Sequence, residues 1–128
     1  MQKVILLGLD GASYNVIQPW VDEACLPAFA RLLREGSHGV LKSTFPPVTV
    51  PAWAAMMTGK NPGRLGYHDF SERKEGSYHF GAVNQRWDEI DPVWKVASDQ
   101  GKQICVFNVP TTPLPSYPLN GIFVAGPG

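Results

Sequence analysis

Val4-Ile5-Leu6-Leu7-Gly8-Leu9-Asp10-Gly11 is a continuous apolar run that ends in a carboxylate and a glycine. A strand with one wet face would alternate apolar and polar residues. The absence of alternation predicts a strand covered on both faces, as in a parallel sheet flanked by helices. Asp10 then falls at the carboxyl end of that strand, where open α/β sheets bind their ligands. A carboxylate there can hold a divalent cation, although Asp-Gly also makes an ordinary turn.

Working outward, Ile104-Cys105-Val106-Phe107-Asn108-Val109 reads as a second buried strand. Asp91-Pro92-Val93-Trp94-Lys95-Val96-Ala97 before it reads as a helix that ends at Gly101, with Asp91 as N-cap and Pro92 at the first helical position. Strand, helix and strand in this order predict a β-α-β unit. The expected fold class is therefore α/β: a three-layer sandwich with a mainly parallel sheet built near residues 4–9, 39–43, 104–109 and 121–125. Residues 13–24 read as partly helical and interrupted by Pro19. Pro27 opens a better helix that stops at Gly36, with Leu26, Phe29, Leu32 and Leu33 on one face. Residues 71–90 read as a polar excursion outside the core, and the four prolines of residues 110–118 as an extended or turn-rich segment.

The chemistry-bearing segment is Phe45-Pro46-Pro47-Val48-Thr49-Val50-Pro51-Ala52-Trp53. Pro51 suits a first helical turn, where a missing N–H costs nothing. Ala52 to Met57 continue an apolar helix, with Gly59 as its stop. An all-round apolar helix is a buried one. Thr49 would then sit at its positive end, where anions are stabilised.

Composition bounds the partners. Eleven basic and eleven acidic residues leave a net charge of zero, so no basic field favours nucleic acid. The first apolar run is too short for a membrane span or a signal-peptide core, which makes a cytoplasmic protein the expectation. Cys25 and Cys105 stand in apolar contexts and read as two buried thiols rather than a disulfide.

Leu9-Asp10-Gly11, residues 47–53, Met57-Thr58-Gly59-Lys60-Asn61-Pro62-Gly63 and Gly66-Tyr67-His68-Asp69-Phe70 together resemble the alkaline phosphatase superfamily. The similarity is to its type I phosphodiesterase/nucleotide pyrophosphatase branch and to related phosphohydrolase and phosphomutase proteins. It continues through Asn108-Val109-Pro110-Thr111-Thr112 and Leu119-Asn120-Gly121. The resemblance implies that Asp10 binds a metal, and that Thr49 both binds a metal and is the nucleophile forming a phosphoryl-enzyme. It implies two divalent ions, zinc being expected and manganese the alternative, and a small phosphate ester as substrate.

The family's remaining Asp and His ligands lie farther downstream, and after Asp99 this chain has no Asp, Glu or His. Residues 1–128 therefore read as the N-terminal part of the catalytic domain, with the second half of the metal site absent and a sheet edge open to self-association. His38, His68 and His79 lack the spacing of a metal motif and read as surface or turn residues. Phe70 stands where the nucleotide pyrophosphatases carry an Asn that holds the phosphoryl oxygen; a Phe has no donor, which favours the phosphohydrolase or phosphomutase relatives. Trp53, where sulfatases carry Arg, argues against that branch. Two other classes compete: a non-catalytic binding module, and a nucleotide-binding α/β domain. The latter lacks the three-glycine spacing after the first strand.

Overall fold

The computed structural model describes residues 3–83 and 87–127. The chain divides into two compact units, Met1–Lys42 and Ser43–Gly128. Helix and strand are mixed in it, as an α/β composition requires.

In the first unit, helix α1 (Tyr14–Asp22) packs on helix α2 (Pro27–Glu35). Pro19 lies inside α1 and does not interrupt it; the cost is one intrahelical bond, the one its missing N–H would have given to Asn15. α2 begins with Pro27 in its first turn and stops at Gly36, as read from the sequence. Its half-covered stripe is Leu26, Phe29, Ala30 and Leu33, while Leu32 is exposed. The helical period puts Ala30, four residues after Leu26, on that stripe in its place.

Neither residues 4–9 nor residues 39–43 form a strand, which corrects both expectations. Ile5 is 91% exposed and Val40 87%. A strand exists only through a hydrogen-bonded neighbour, and apolar composition supplies the tendency without the partner.

The second unit carries the core. Helix α3 (Thr49–Thr58) contributes Val50, Trp53, Ala54 and Met57 to it. Short helix α4 (Pro62–Leu65) packs on α3 through buried Pro62 and Leu65. Asn61 caps α4 by accepting the Arg64 N–H on its Oδ1 at 2.9 Å. Asn61→Ala should cost roughly 1 kcal/mol, the usual value of such a cap. Urea denaturation checks this, with Asn61→Asp expected to stay near the parent.

The excursion resolves into an antiparallel hairpin of strands β1 (Ser71–Arg73) and β2 (Phe80–Ala82), exposed along most of its length. Residues 84–86 of the excursion lie outside the described residues. Trp87, however, belongs to the core and is 4% exposed. It stacks at 5.3 Å on Trp94, and its indole N–H donates to the Thr111 carbonyl at 2.9 Å. The charged neighbours hid an aromatic ring large enough to dominate local burial.

Helix α5 (Val93–Asp99) begins one residue later than expected, with Pro92 as N-cap; Asp91 instead faces Lys95 at 3.5 Å. Trp94 turns inward onto Phe123, and its indole N–H donates to the Tyr117 hydroxyl at 3.2 Å. Burial pushes the Tyr117 pKa up, opposed by that hydrogen bond.

Strands β3 (Ile104–Val109) and β4 (Gly121–Ala125) pair in parallel, as expected. Their crossover is the proline-rich segment 110–120 and not α5, so the order is helix-strand-strand. Four prolines forbid a helix there, yet the segment approaches the dozen residues a parallel return needs.

Asn120 sets the register. Its side-chain amide donates to the carbonyls of Gly101 and Lys102, its N–H to Ser98 Oγ, and its carbonyl accepts the Ile104 N–H. That clasp puts Gly121 opposite Ile104. Asn108, at φ 56°, forms a bulge before the ladder resumes at Val109.

The sheet has one covered face, with Val106 buried and Ile104 and Phe123 packed against the core. Cys105, Phe107, Ile122 and Val124 lie on the other and are exposed, Phe107 by 72%. Cys105 is therefore not a buried thiol, and neither is Cys25, which is also free and exposed. Period-two alternation puts Cys105 opposite Val106, and on the outer face of a two-stranded sheet nothing described covers it. Among the described residues no helix is long and apolar enough to cross a membrane.

Candidate active site

Thr49 is the first residue of α3, and Val48 before it is extended with φ −117° and ψ 151°. The first intrahelical bond runs from the Ala52 N–H to the Val48 carbonyl at 3.1 Å. The N–H groups of Thr49 and Val50 precede that bond, and Pro51 has none. The helix start thus carries two amide dipoles ahead of its hydrogen-bonded body, the positive end of the macrodipole.

Behind Thr49 the helix body is held by the core. Val50, Pro51, Trp53, Ala54 and Met57 are buried, while Met56 on the opposite side is 44% exposed, so α3 is largely rather than uniformly enclosed. At its far end Gly59 takes the left-handed conformation, φ 67°, and donates to the Ala55 carbonyl at 2.8 Å. Thr58 Oγ1 donates back to the Ala54 carbonyl and accepts the Lys60 N–H. The body of the helix is thus mostly buried and Thr49 itself half-exposed.

Asp10 is exposed in the turn with Gly11, whose φ is 68°. Gly11 opens the chain toward α1, its carbonyl accepting the Ser13 N–H at 3.0 Å. Asp10 is carried by the first unit and Thr49 by the second. Both are oxygen donors of the kind hard and borderline divalent ions accept. Among the described residues no group of three or more His, Cys, Asp or Glu gathers where it could hold a metal ion.

His38, His68 and His79 are exposed, in keeping with surface roles. Asp69 caps its own turn, Oδ1 accepting the Phe70 N–H at 2.7 Å, and Phe70 is exposed. One residue of the Thr49 loop went unnoticed in the sequence. Thr44 is half-buried, and its hydroxyl donates to the Pro46 carbonyl at 2.9 Å. The signal was present: a hydroxyl just upstream of two consecutive prolines.

A search of curated proteins and one of solved structures each found no match to the chain. The family model of type I phosphodiesterase / nucleotide pyrophosphatase matches residues 4–119, a span running from the apolar run before Asp10, through the Thr49 helix, to the start of the Asn120 clasp. With that match over nearly its whole length, and with Thr49 opening a buried helix, the chain belongs to the type I phosphodiesterase / nucleotide pyrophosphatase family.

Proposed function

We propose that this chain carries the nucleophile half of a metal-dependent phosphoric ester hydrolase, with Thr49 as the attacking group. The observation that supports it most is Thr49 as the first residue of a helix whose body is buried. Thr49 Oγ attacks the phosphorus in line, and the oxygen–phosphorus bond forms as the ester bond opposite it breaks. The hydroxyl proton leaves Thr49, and the leaving oxygen departs as the alcohol. The helix-start amides stabilise charge building on the phosphoryl oxygens. Water then hydrolyses the phospho-threonine, restoring the hydroxyl and releasing phosphate from a monoester. The resemblance makes Asp10 and Thr49 each a metal ligand, and a cation on Thr49, zinc or manganese, would when bound lower the hydroxyl pKa into a useful range.

Phe70 narrows the substrate. It has no donor to hold a phosphoryl oxygen, which favours phosphohydrolase or phosphomutase substrates over nucleotide pyrophosphates. The complete protein of this reading acts on a small phosphate ester in the cytoplasm, without nucleic acid or membrane.

The metal site is shared with a region beyond residue 128 in this reading. Two ligands are fewer than the three or four a stable zinc site needs. Residues 1–128 should thus hydrolyse an aryl phosphate little or not at all, even with excess zinc or manganese. A longer protein that includes the remaining ligands should turn over and lose activity to a chelator. Purified residues 1–128 are expected to self-associate through the open sheet edge at β4, where Ile122 and Val124 are exposed. A paired assay with and without metal, each sample checked by light scattering, reads both. Robust metal-dependent turnover by the 128-residue chain would refute the half-site reading.

A further inference from the structure

Residues 45–48 lead directly into Thr49 and are poor in backbone donors. Pro46 and Pro47 are consecutive and neither has an N–H. A loop of this composition offers only the Phe45 and Val48 N–H groups as backbone donors. The Thr44 side chain supplies a donor in their place: its hydroxyl reaches two residues on to the Pro46 carbonyl at 2.9 Å, in a half-buried setting. Phe45, between them, is 91% exposed, while Pro46 and Val48 are half-buried, so this bond and partial packing together hold the segment. From Pro46 only Pro47 and Val48 intervene before Thr49.

We infer that Thr44 is a positioning residue for the Thr49 nucleophile, its hydroxyl bond to Pro46 setting the approach of the loop to the α3 start. This rests on the proposed role of Thr49. The physical reason is leverage: in-line attack demands a reacting oxygen within a narrow range of distance and direction, and a displacement of about 1 Å can cost 10²-fold in rate. The rest of α3 is anchored by its buried face and by the Gly59 and Thr58 closure. On the loop side, the Thr44 bond to Pro46 stands three residues before Thr49.

The test uses the complete metal-loaded protein with p-nitrophenyl phosphate and bis-p-nitrophenyl phosphate as probes. Thr44→Val keeps the shape and removes the donor. It should lower kcat by roughly tenfold or more while KM changes by less than about twofold, because positioning acts on the transition state. Single-turnover labelling of Thr49 should slow by the same factor, and Thr44→Ser should restore both. Should Thr44→Val fold poorly, Thr44→Cys, a weak donor of similar size, takes its place.

A parent-like kcat in the folded Val or Cys variant, with Thr49→Ala inactive in the same assay, overturns the positioning inference alone. Turnover retained in Thr49→Ala overturns the nucleophile reading on which it rests. A slowed variant that Thr44→Ser does not rescue also overturns it, since the effect then follows from shape and not from the hydroxyl.

Discussion

Thr49→Ala should reduce metal-dependent phosphate ester hydrolysis by three decades or more, a loss of roughly 4 kcal/mol of transition-state stabilisation. Helix α3 should survive the change. Its stability resides in Val50, Trp53, Ala54 and Met57, all in the core, and Thr49 is only half-covered at its start. Alanine is also a good helix former, so the first turn loses no propensity. Far-UV circular dichroism should therefore match the parent while kcat collapses. Thr49→Ser keeps a hydroxyl on the same Cβ and should retain activity. The decisive comparison is kcat for the three proteins with metal saturating; an alanine variant near parent turnover would remove Thr49 from the chemistry.

Gly121→Ala should damage the fold severely. Gly121 has φ 154°, and a Cβ built on it would lie 1.8 Å from the Ile104 carbonyl oxygen. The contact is with backbone, which cannot swing aside as a long side chain would. Opening it would separate β3 from β4 at the pair where their register begins and strain the Asn120 clasp beside it. A cost of roughly 3 kcal/mol or more is expected, with thermal unfolding lowered by on the order of 10 °C. Gly76→Ala is the control. Gly76 also has positive φ, 71°, but nothing lies within 4 Å of its added Cβ. Its penalty should stay near 1 kcal/mol, the price of the conformation alone. Equal melting temperatures for the two variants would show that the close approach of β4 to Ile104 is not a constraint.

Elements whose cause is local were legible in the sequence. Pro27 and Gly36 bracket α2, and Gly59 stops α3, because proline geometry and the left-handed glycine act within one turn. Thr49 at the start of α3 follows from the same chemistry: Pro51 is acceptable only before the intrahelical bonds begin. Pro19 shows the limit of such reasoning. Its local rule favours a break, yet α1 continues through it, since one lost bond does not outweigh the rest of a helix.

Features that depend on a partner were not legible. Trp87 reads as part of a charged excursion, but Trp94 beside it and the Thr111 carbonyl farther along the chain receive it. Cys105 looked buried because its neighbours are apolar; which face of β3 is covered depends on where the core falls. Thr44 stood just upstream of two prolines, but that its hydroxyl bonds the Pro46 carbonyl is a matter of loop conformation.

Residue chemistry therefore determined the family, Thr49 at a helix start, the carboxylate at a turn and the parallel tendency of the apolar runs. Tertiary structure decided which runs became strands. Residues 104–109 and 121–125 pair because Asn120 clasps the α5–β3 turn and Gly121 admits the Ile104 carbonyl. Residues 4–9, just as apolar, form no strand. Composition sets how much a segment gains from being covered, a property of its own side chains. Pairing requires a second backbone at hydrogen-bonding distance and in register, and that is a property of the rest of the chain.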